Sequence, residues 1–274
     1  MDRATARILN NLTSDFYRCE SAAFSKTRQT PWEGWERALE AMGAQATGTE
    51  ARLHPLRLID LGCGNLRFER FLSERLDAFP ETWAFDNCPA LATTGLNDSA
   101  REHVHFQPLD VVDTLLESEP GNETATLTQA LGVRRDTVDL AVAFGFMHHL
   151  ALPEHRLAVL EALAACTRPG GHAVVAFWQF ARNPKMRAKA EATTKRGCEA
   201  IGLTSSASVS PLDKNDYLLG WQHTEGVWRY CHHFPECEID ELISSLAPRA
   251  REVARFSADG KTHDLNRYVV LEVR

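Results

Sequence analysis

The chain has 274 residues, of which 44% are hydrophobic and 24% charged, so it is long enough for one large α/β domain of ordinary globular composition. A formal net charge of −7 argues against a general nucleic-acid coat, although a local basic patch remains compatible with it. No run approaches the roughly 18 apolar residues of a membrane helix, and the N-terminus lacks the basic-then-apolar layout of a secretory signal. The seven cysteines are an odd number without framework spacing, which predicts reduced thiols in a cytoplasmic protein.

The N-terminal segment, residues 1 to about 45, is predicted to be helical because its apolar residues recur at roughly helical spacing. The stretch FSKTRQTPWEGW, residues 24–35, interrupts this pattern, and Pro31 fits the first turn of a second helix. Residues 15–35 carry Phe16, Tyr17, Phe24 and Trp32, so we expect this part to fold over a ligand and exclude water. A small-residue linker, GAQATGTEA, leads to the first strand.

Strands and helices then alternate along the chain. Apolar runs predict strands at 56–61, 81–86, 104–110, 137–145 and 172–180. Helices are predicted over 65–78, from Pro89 onward and over 153–167, and a polar loop precedes the fourth strand. Strands separated by helices predict a parallel, doubly wound sheet.

Residues 181–247 break this alternation and predict a cap or insertion, which includes a basic helix with the sequence RNPKMRAKAEATTKRG. After the cap, the segment REVARFSADGKTHDLNRYVVLEVR predicts two strands around a turn at Asp259-Gly260.

Acidic residues end the first three predicted strands, at Asp60, Asp86 and Asp110, and the glycine loop 62–64 follows the first of them. Ligands of open α/β sheets bind at the carboxyl ends of the strands. A dinucleotide fingerprint needs a third glycine three residues after the second, and Arg67 stands there. The loop therefore permits close backbone approach without a pyrophosphate cradle. The acidic residue after strand two can accept both hydroxyls of a ribose, and the one after strand three can accept the exocyclic amine of an adenine.

The segments LIDLGCGN, AFDNC, PLD and RPGG, with the terminal hairpin, resemble the class I S-adenosylmethionine methyltransferases over residues 56–180 and the hairpin. The resemblance implies a Rossmann-like α/β fold with a doubly wound seven-stranded sheet, a terminal antiparallel hairpin and a small cap. It divides the single methyltransferase domain into an N-terminal helical lid (1–50), a cofactor-binding core (55–180), a cap (181–247) and the hairpin (248–274). S-adenosyl-L-methionine is the implied cofactor. Its implied ligands are Asp60, Gly62, Cys63, Gly64, Asp86, Asn87, Asp110, Val111 and Phe144.

Alternatives remain open at this point. Asp86 and Asp110 can also cap helices or stabilise turns. A dinucleotide oxidoreductase is the nearest chemical rival, although the antiparallel tail fits it poorly. A regulatory protein that binds S-adenosylmethionine without catalysis is the rival that is not an enzyme.

A narrower resemblance is carried by FSKTRQTPW, MHHL, RPGGHAVVAFWQ, DYLLGW and WRYCHHFPECEIDEL, which occur in this order. They are similar to segments of the tRNA wobble-uridine methyltransferases that esterify a 5-carboxymethyl group. The matching residues are Ser25, Thr27, Arg28, Pro31, Trp32, His148, His149, Tyr230, His232 and Phe234, with Glu241-Leu242 shifted along the chain. The resemblance implies a tRNA acceptor, and the alternative is a relative that acts on a small metabolite or on another carboxylate.

Class I methyltransferases carry the end of strand four beside the transferred methyl group, which implies that His148 and His149 lie near the chemistry. One of them can act as a general base, or one can pack while the other helps to close the cofactor pocket. Arginine's planar fork suits a carboxylate, so we expect an anionic acceptor methylated at oxygen. The predicted acceptor-binding residues are Arg28, Trp32, Arg229, Tyr230 and Arg267, with Arg28 also grouped with the histidines as catalytic.

Two further segments have chemistry-bearing side chains. CHHFPEC, residues 231–237, fits no common zinc spacing, so we expect no metal site. The basic stretch 182–196 can contact phosphates or can be a solvated helix face. The sequence leaves the oligomeric state open.

Overall fold

A computed structural model describes residues 1–43, 55–92, 101–203, 212–221 and 224–274. Apart from Gly43, the predicted linker lies outside the described residues. In the part of the chain that is described, no helix is long and apolar enough to cross a membrane.

Within these ranges, nine strands form two sheets. They are β1 (Arg57–Leu61), β2 (Glu81–Asp86), β3 (Val104–Pro108), β4 (Val138–Ala143), β5 (Thr167–Trp178), β6 (Asp216–Trp221), β7 (Thr224–His232), β8 (Ala250–Ala258) and β9 (Asn266–Val273). Seven of them make the central sheet, in the spatial order β3-β2-β1-β4-β5-β9-β8. The first five run parallel to one another, and β9 pairs antiparallel with both β5 and β8. This is the predicted doubly wound sheet with a terminal antiparallel hairpin.

Helices cover both faces of the sheet, which explains why β1 and β4 are almost continuously apolar and buried. The helices are α1 (Arg3–Lys26), α2 (Glu33–Met42), α3 (Arg67–Ser73), α4 (Pro89–Ala92), α5 (Val111–Glu117), α6 (Glu123–Leu131), α7 (Pro153–Cys166), α8 (Pro184–Ala200) and α9 (Glu236–Ser245). Two sequence predictions need correction. The helix predicted over 65–78 is confined to α3, and the polar loop predicted before β4 contains α5 and α6.

The second N-terminal helix, α2, docks on the terminal hairpin. The helix begins at Glu33, and Trp32 before it has an extended conformation. Pro31 therefore lies just ahead of the helix rather than in its first turn. A Cβ at Gly34 would lie 2.1 Å from the ring of Tyr268, so only glycine allows this contact.

The region between β5 and β8 contains α8, the two-stranded antiparallel sheet of β6 and β7, and α9. Asp216 lies at its centre, where it accepts hydrogen bonds from Tyr230 Oη at 2.7 Å and from His232 Nδ1 at 2.6 Å. Glu238 lies 2.8 Å from His232 Nε2 and pairs with Arg156 at 2.6 Å, which fastens the region to α7. These polar side chains are buried among charged partners and therefore stabilise the insertion as a unit.

Candidate active site

A cavity of about 430 Å³ opens at the carboxyl ends of the parallel strands, a size ordinary for small-molecule pockets. Its floor comes from the residues that follow β1, β2 and β4, and its walls come from α1, α2, β7 and the terminal hairpin. All nine residues predicted to bind the cofactor line it: Asp60, Gly62, Cys63, Gly64, Asp86, Asn87, Asp110, Val111 and Phe144.

The glycine loop has the backbone conformation that its sequence requires. Gly62 and Gly64 adopt φ values of +77° and +55°, which disfavour any other residue. A Cβ at Gly62 would lie 2.9 Å from the Phe146 ring. At Gly64 a Cβ would meet no atom within 4 Å, so the space beside this backbone is left for a ligand.

Arg67, which occupies the place of a third glycine, fastens the N-terminal segment to the core. Its guanidinium lies 5.0 Å from the rings of Trp32 and Trp35 and donates to the carbonyl oxygen of Thr30 at 2.9 Å. Burial lowers the pKa of Arg67 to about 10. The departure from the dinucleotide fingerprint therefore has a structural role in closing the cavity.

Asp86 has the geometry of a ribose acceptor. Its two carboxylate oxygens accept from the backbone N–H groups of Gly64 at 2.9 Å and Cys88 at 2.8 Å. Each oxygen keeps lone-pair capacity for a ligand hydroxyl. Burial raises the pKa of Asp86 to about 6, and the two N–H donors oppose this shift.

Asp110 is more heavily engaged than the sequence predicted. It caps α5 by accepting from the Asp113 N–H, so the capping interpretation holds for this residue. The same carboxylate accepts from Asn10 and Asn87 at 3.2 Å and from Ser14 at 3.3 Å. An adenine amine would have to share or displace these donors.

A second carboxyl lies behind Asp60. Glu69 on α3 is 0% exposed, and its side-chain partner among the described residues is the Asp60 carboxyl. Burial raises the pKa of Glu69 to about 7, and burial together with Glu69 raises the pKa of Asp60 well above its ordinary value. Two buried acids side by side cannot both ionise readily, so the pair favours holding a proton.

His149 is locked by hydrogen bonds on both ring nitrogens. Its Nδ1 lies 3.0 Å from the carbonyl oxygen of Tyr230, which can only accept, so Nδ1 carries the proton. Nε2 lies 3.0 Å from Tyr17 Oη and accepts from it. Burial lowers the pKa of His149 to about 3, so this ring has neither a free lone pair nor the basicity of a general base.

His148 lines the cavity beside Trp178, with the two ring centroids 4.7 Å apart. Its Nδ1 is buried without a hydrogen-bond partner among the described residues. Burial, with a further contribution from His149, lowers its pKa well below the ordinary value. The pair is therefore a neutral wall of the cavity.

Three arginines line the cavity without an ion pair to a carboxylate in the described part of the chain: Arg67, which donates to the Thr30 carbonyl oxygen, and the pair Arg28 and Arg229. Arg229 on β7 is 7% exposed, donates to Tyr17 Oη at 3.2 Å, and leaves its Nε without an acceptor. Arg28 stacks 3.8 Å from the Phe24 ring centroid and donates to Thr27. Burial and the charge of Arg229 lower the pKa of Arg28 to about 10. An anion between them would relieve this repulsion.

Trp32 also lines the cavity, whereas the other two predicted acceptor residues lie elsewhere. The hydroxyl of Tyr230 is used inside the insertion by Asp216. Arg267 pairs with Glu236 at 3.0 Å, away from the cavity lining. The structure does not bring Tyr230 or Arg267 to the cavity lining, and their acceptor roles stay predictions.

His148, His149 and Cys231 place potential metal ligands within 4.8 Å of one another. Burial raises the pKa of the Cys231 thiol to about 12. The positive charge of Arg229 beside this cluster opposes the binding of a cation.

The site contains residues that sequence reasoning did not assign. Tyr17, Asn10 and Trp178 line the cavity, and Glu69 lies against its floor. Tyr17 belongs to the predicted lid, but its partners, Arg229 and His149, are more than 130 residues away, so no local pattern could reveal them.

The sheet order and the cavity at the glycine loop define a class I methyltransferase that uses S-adenosylmethionine. The chain belongs to the methyltransferase-domain family, whose model matches residues 27–248. A solved S-adenosylmethionine-dependent methyltransferase from Methanosarcina mazei covers 81% of this chain and 94% of its own, with a TM-score of 0.53 at 14% identity, and so shows the same fold.

Curated relatives add a likeness in sequence. The tRNA (carboxymethyluridine(34)-5-O)-methyltransferase ALKBH8 of Mus musculus is 29% identical over 162 residues, 59% of this chain and 19% of the relative. Its counterpart in Macaca fascicularis is 26% identical over 177 residues, 65% of this chain and 21% of the relative. The chain thus spans about a fifth of the length of these relatives.

Proposed function

We propose that this methyltransferase esterifies a carboxylate, and that the carboxylate is carried by a modified uridine of tRNA. The observation that supports it is the pair Arg28 and Arg229, two cavity arginines with no carboxylate partner among the described residues. Buried charge without a partner is costly, so a cavity of this kind favours an anionic ligand. The name of the curated relatives gives the class of carboxylate, a carboxymethyluridine in tRNA.

The reaction fits the neutral histidines. A carboxylate oxygen attacks the methyl carbon in line with the C–S bond, a C–O bond forms as the C–S bond breaks, and the sulfonium becomes the neutral thioether of S-adenosylhomocysteine. No proton moves, so no general base is needed. His149, with a pKa of about 3 and both nitrogens engaged, is then a fixed wall and a support for Tyr17.

The remaining acceleration comes from positioning and water exclusion. Arg28 and Arg229 would orient the carboxylate, and α1 and α2 would cover the reacting atoms. The predicted roles of Asp86 in ribose binding and of the glycine loop in backbone approach complete the proposal.

The test supplies an anticodon stem-loop that carries 5-carboxymethyluridine, with S-adenosylmethionine labelled in the methyl group. We expect transfer of label and its release by mild base, because a methyl ester hydrolyses. Arg28→Met should raise the acceptor KM about tenfold or more, since a charged hydrogen bond contributes about 1.5–3 kcal/mol, and leave the Kd of S-adenosylmethionine unchanged.

Asp86→Asn is the matched control in the other half of the cavity. It should weaken S-adenosylmethionine binding and leave the acceptor KM unchanged at saturating cofactor. A product stable to mild base, or an Arg28→Met enzyme with a normal acceptor KM, would count against carboxylate methylation.

A further inference from the structure

The helix α8 (Pro184–Ala200) and the turn before it carry an excess of positive charge in an acidic protein. Residues 182–200 contain six basic and two acidic side chains, although the whole chain has a net charge of −7. All six basic side chains are exposed: Arg182, Lys185, Arg187, Lys189, Lys195 and Arg196.

These charges are not balanced by neighbours. Among the described residues, none of the six forms an ion pair, whereas Arg255 in the terminal hairpin pairs with Glu236, Asp240 and Glu252. Arg187 donates to a backbone carbonyl, that of Ala181. What distinguishes α8 is that six exposed, unpaired basic side chains are concentrated within residues 182–196.

Part of the group forms a continuous strip, which we call the α8 basic face: Lys185, Lys189 and Arg196. At 3.6 residues per turn, these three positions fall within about 40° of one another around the helix and span about 16 Å along it. Ala188 and Ala192 lie beside them on the exposed surface. Short neighbours let an extended polyanion approach all three cations at once.

The strip begins beside the cavity. Trp178, the last residue of β5, lines the cavity, and the short turn Phe180–Arg182 leads from it directly into α8. The helix therefore starts near the carboxyl ends of the parallel strands, where the cavity lies. A ligand with one base in the cavity and a backbone outside can reach the strip.

We propose that the α8 basic face binds backbone phosphates of the RNA whose carboxylated base enters the cavity, an inference that rests on the proposed function. Phosphate contacts of this kind release counterions and make affinity depend steeply on salt. They position the RNA without reading its sequence.

The experiment compares Lys185→Gln/Lys189→Gln with Arg134→Gln/Arg135→Gln. The control removes the same charge from an exposed pair that precedes β4, at the N-terminal ends of the parallel strands, opposite the cavity. Filter binding of unfractionated tRNA is measured between about 50 and 200 mM salt. We expect the first variant alone to lose about 1.4–1.8 from the slope of log K against log salt, and to bind several-fold more weakly, because each lost phosphate contact removes about 0.7–0.9.

A second readout separates the proposals. Methyl transfer to the free 5-carboxymethyluridine nucleoside should be the same in both variants and the wild type, since neither pair lines the cavity. If the wild type methylates the stem-loop and the Lys185→Gln/Lys189→Gln variant keeps its salt slope, the α8 inference is overturned and the proposed function stands.

Two other outcomes are decisive. If the wild type shows no salt-dependent tRNA binding and methylates only small carboxylates, the RNA part of the proposed function fails together with the inference. If poly-glutamate displaces tRNA as effectively as unlabelled tRNA does, the face recognises polyanions in general, and the inference is again overturned.

Discussion

Replacing Tyr17 by phenylalanine tests how the cavity holds its acceptor side. The hydroxyl accepts from Arg229 at 3.2 Å and donates to His149 at 3.0 Å, and both partners are buried. The phenylalanine ring would keep the edge-to-face contacts but leave a buried guanidinium N–H and a buried imidazole lone pair unsatisfied. Each such loss costs about 1–3 kcal/mol, so the melting temperature should fall by several degrees.

The functional effect should fall on one substrate only. Without the hydroxyl, Arg229 has no side-chain acceptor among the described residues to orient it. The acceptor KM should therefore rise by about 3–10-fold, equivalent to about 1 kcal/mol of lost positioning. The Kd of S-adenosylmethionine, measured by calorimetry, should not change. Tyr217→Phe is the matched control, because the Tyr217 hydroxyl makes no hydrogen bond within the described ranges.

The reasoning would be refuted by a Tyr17→Phe enzyme whose acceptor KM matches that of Tyr217→Phe. An equal rise in both the acceptor KM and the cofactor Kd would also refute it, because that pattern indicates general collapse of the cavity. Thermal melts of both variants by circular dichroism show how much of the change is stability.

Two further predictions concern stability. Glu69 has a folded-state pKa raised to about 7. Its protonated form therefore contributes to the free energy of unfolding at low pH, and this contribution is lost as the pH rises through about 7. The amide of Glu69→Gln can donate to Asp60, so this variant should have a higher melting temperature than the wild type, and the difference should be larger at pH 8 than at pH 5.5. An equal difference in melting temperature at the two pH values would contradict the buried acid pair. Gly34→Ala should displace α2, because its Cβ would lie 2.1 Å from the Tyr268 ring. We expect Gly34→Ala to fold with reduced stability and to lose turnover more than cofactor affinity. The control is Gly220→Ala, whose Cβ would lie at an ordinary 3.6 Å from its nearest neighbour and which should lose much less stability. Equal melting temperatures for the two variants would contradict the close docking of α2.

The sequence was sufficient for the core of the fold because the signals there are local. Each parallel strand is a short apolar run, and an acidic residue lies at or near the end of each of the first three. The glycine loop and Asp86 belong to one strand–loop–helix unit and the strand after it, and the structure brings them to one cavity. Short-range patterns predict such units well.

The acceptor side was only partly predictable because its contacts are distant in sequence. Arg229 and Tyr17 are 212 residues apart, and no periodicity links them. Arg267 on β9 pairs with Glu236, 31 residues earlier, a contact that no local pattern indicates. Helices α5 and α6 were missed because their polar residues resemble those of a loop, and burial of Leu115 and Leu127 became visible only in the folded chain.

The way in which the N-terminal helices are held has a consequence for biosynthesis. Thr13 on α1 receives a hydrogen bond from the Tyr230 N–H, 217 residues later, and Gly34 donates to Asp259, 225 residues later. These helices leave the ribosome before the rest of this chain, and Arg67 and Asp110 offer them early contacts. Their docking is complete only after β7 and the terminal hairpin have emerged. Until then Phe16, Phe24 and Tyr17 lack their partners Trp221 and Arg229, so completion of the cavity must wait for contacts of very high sequence separation.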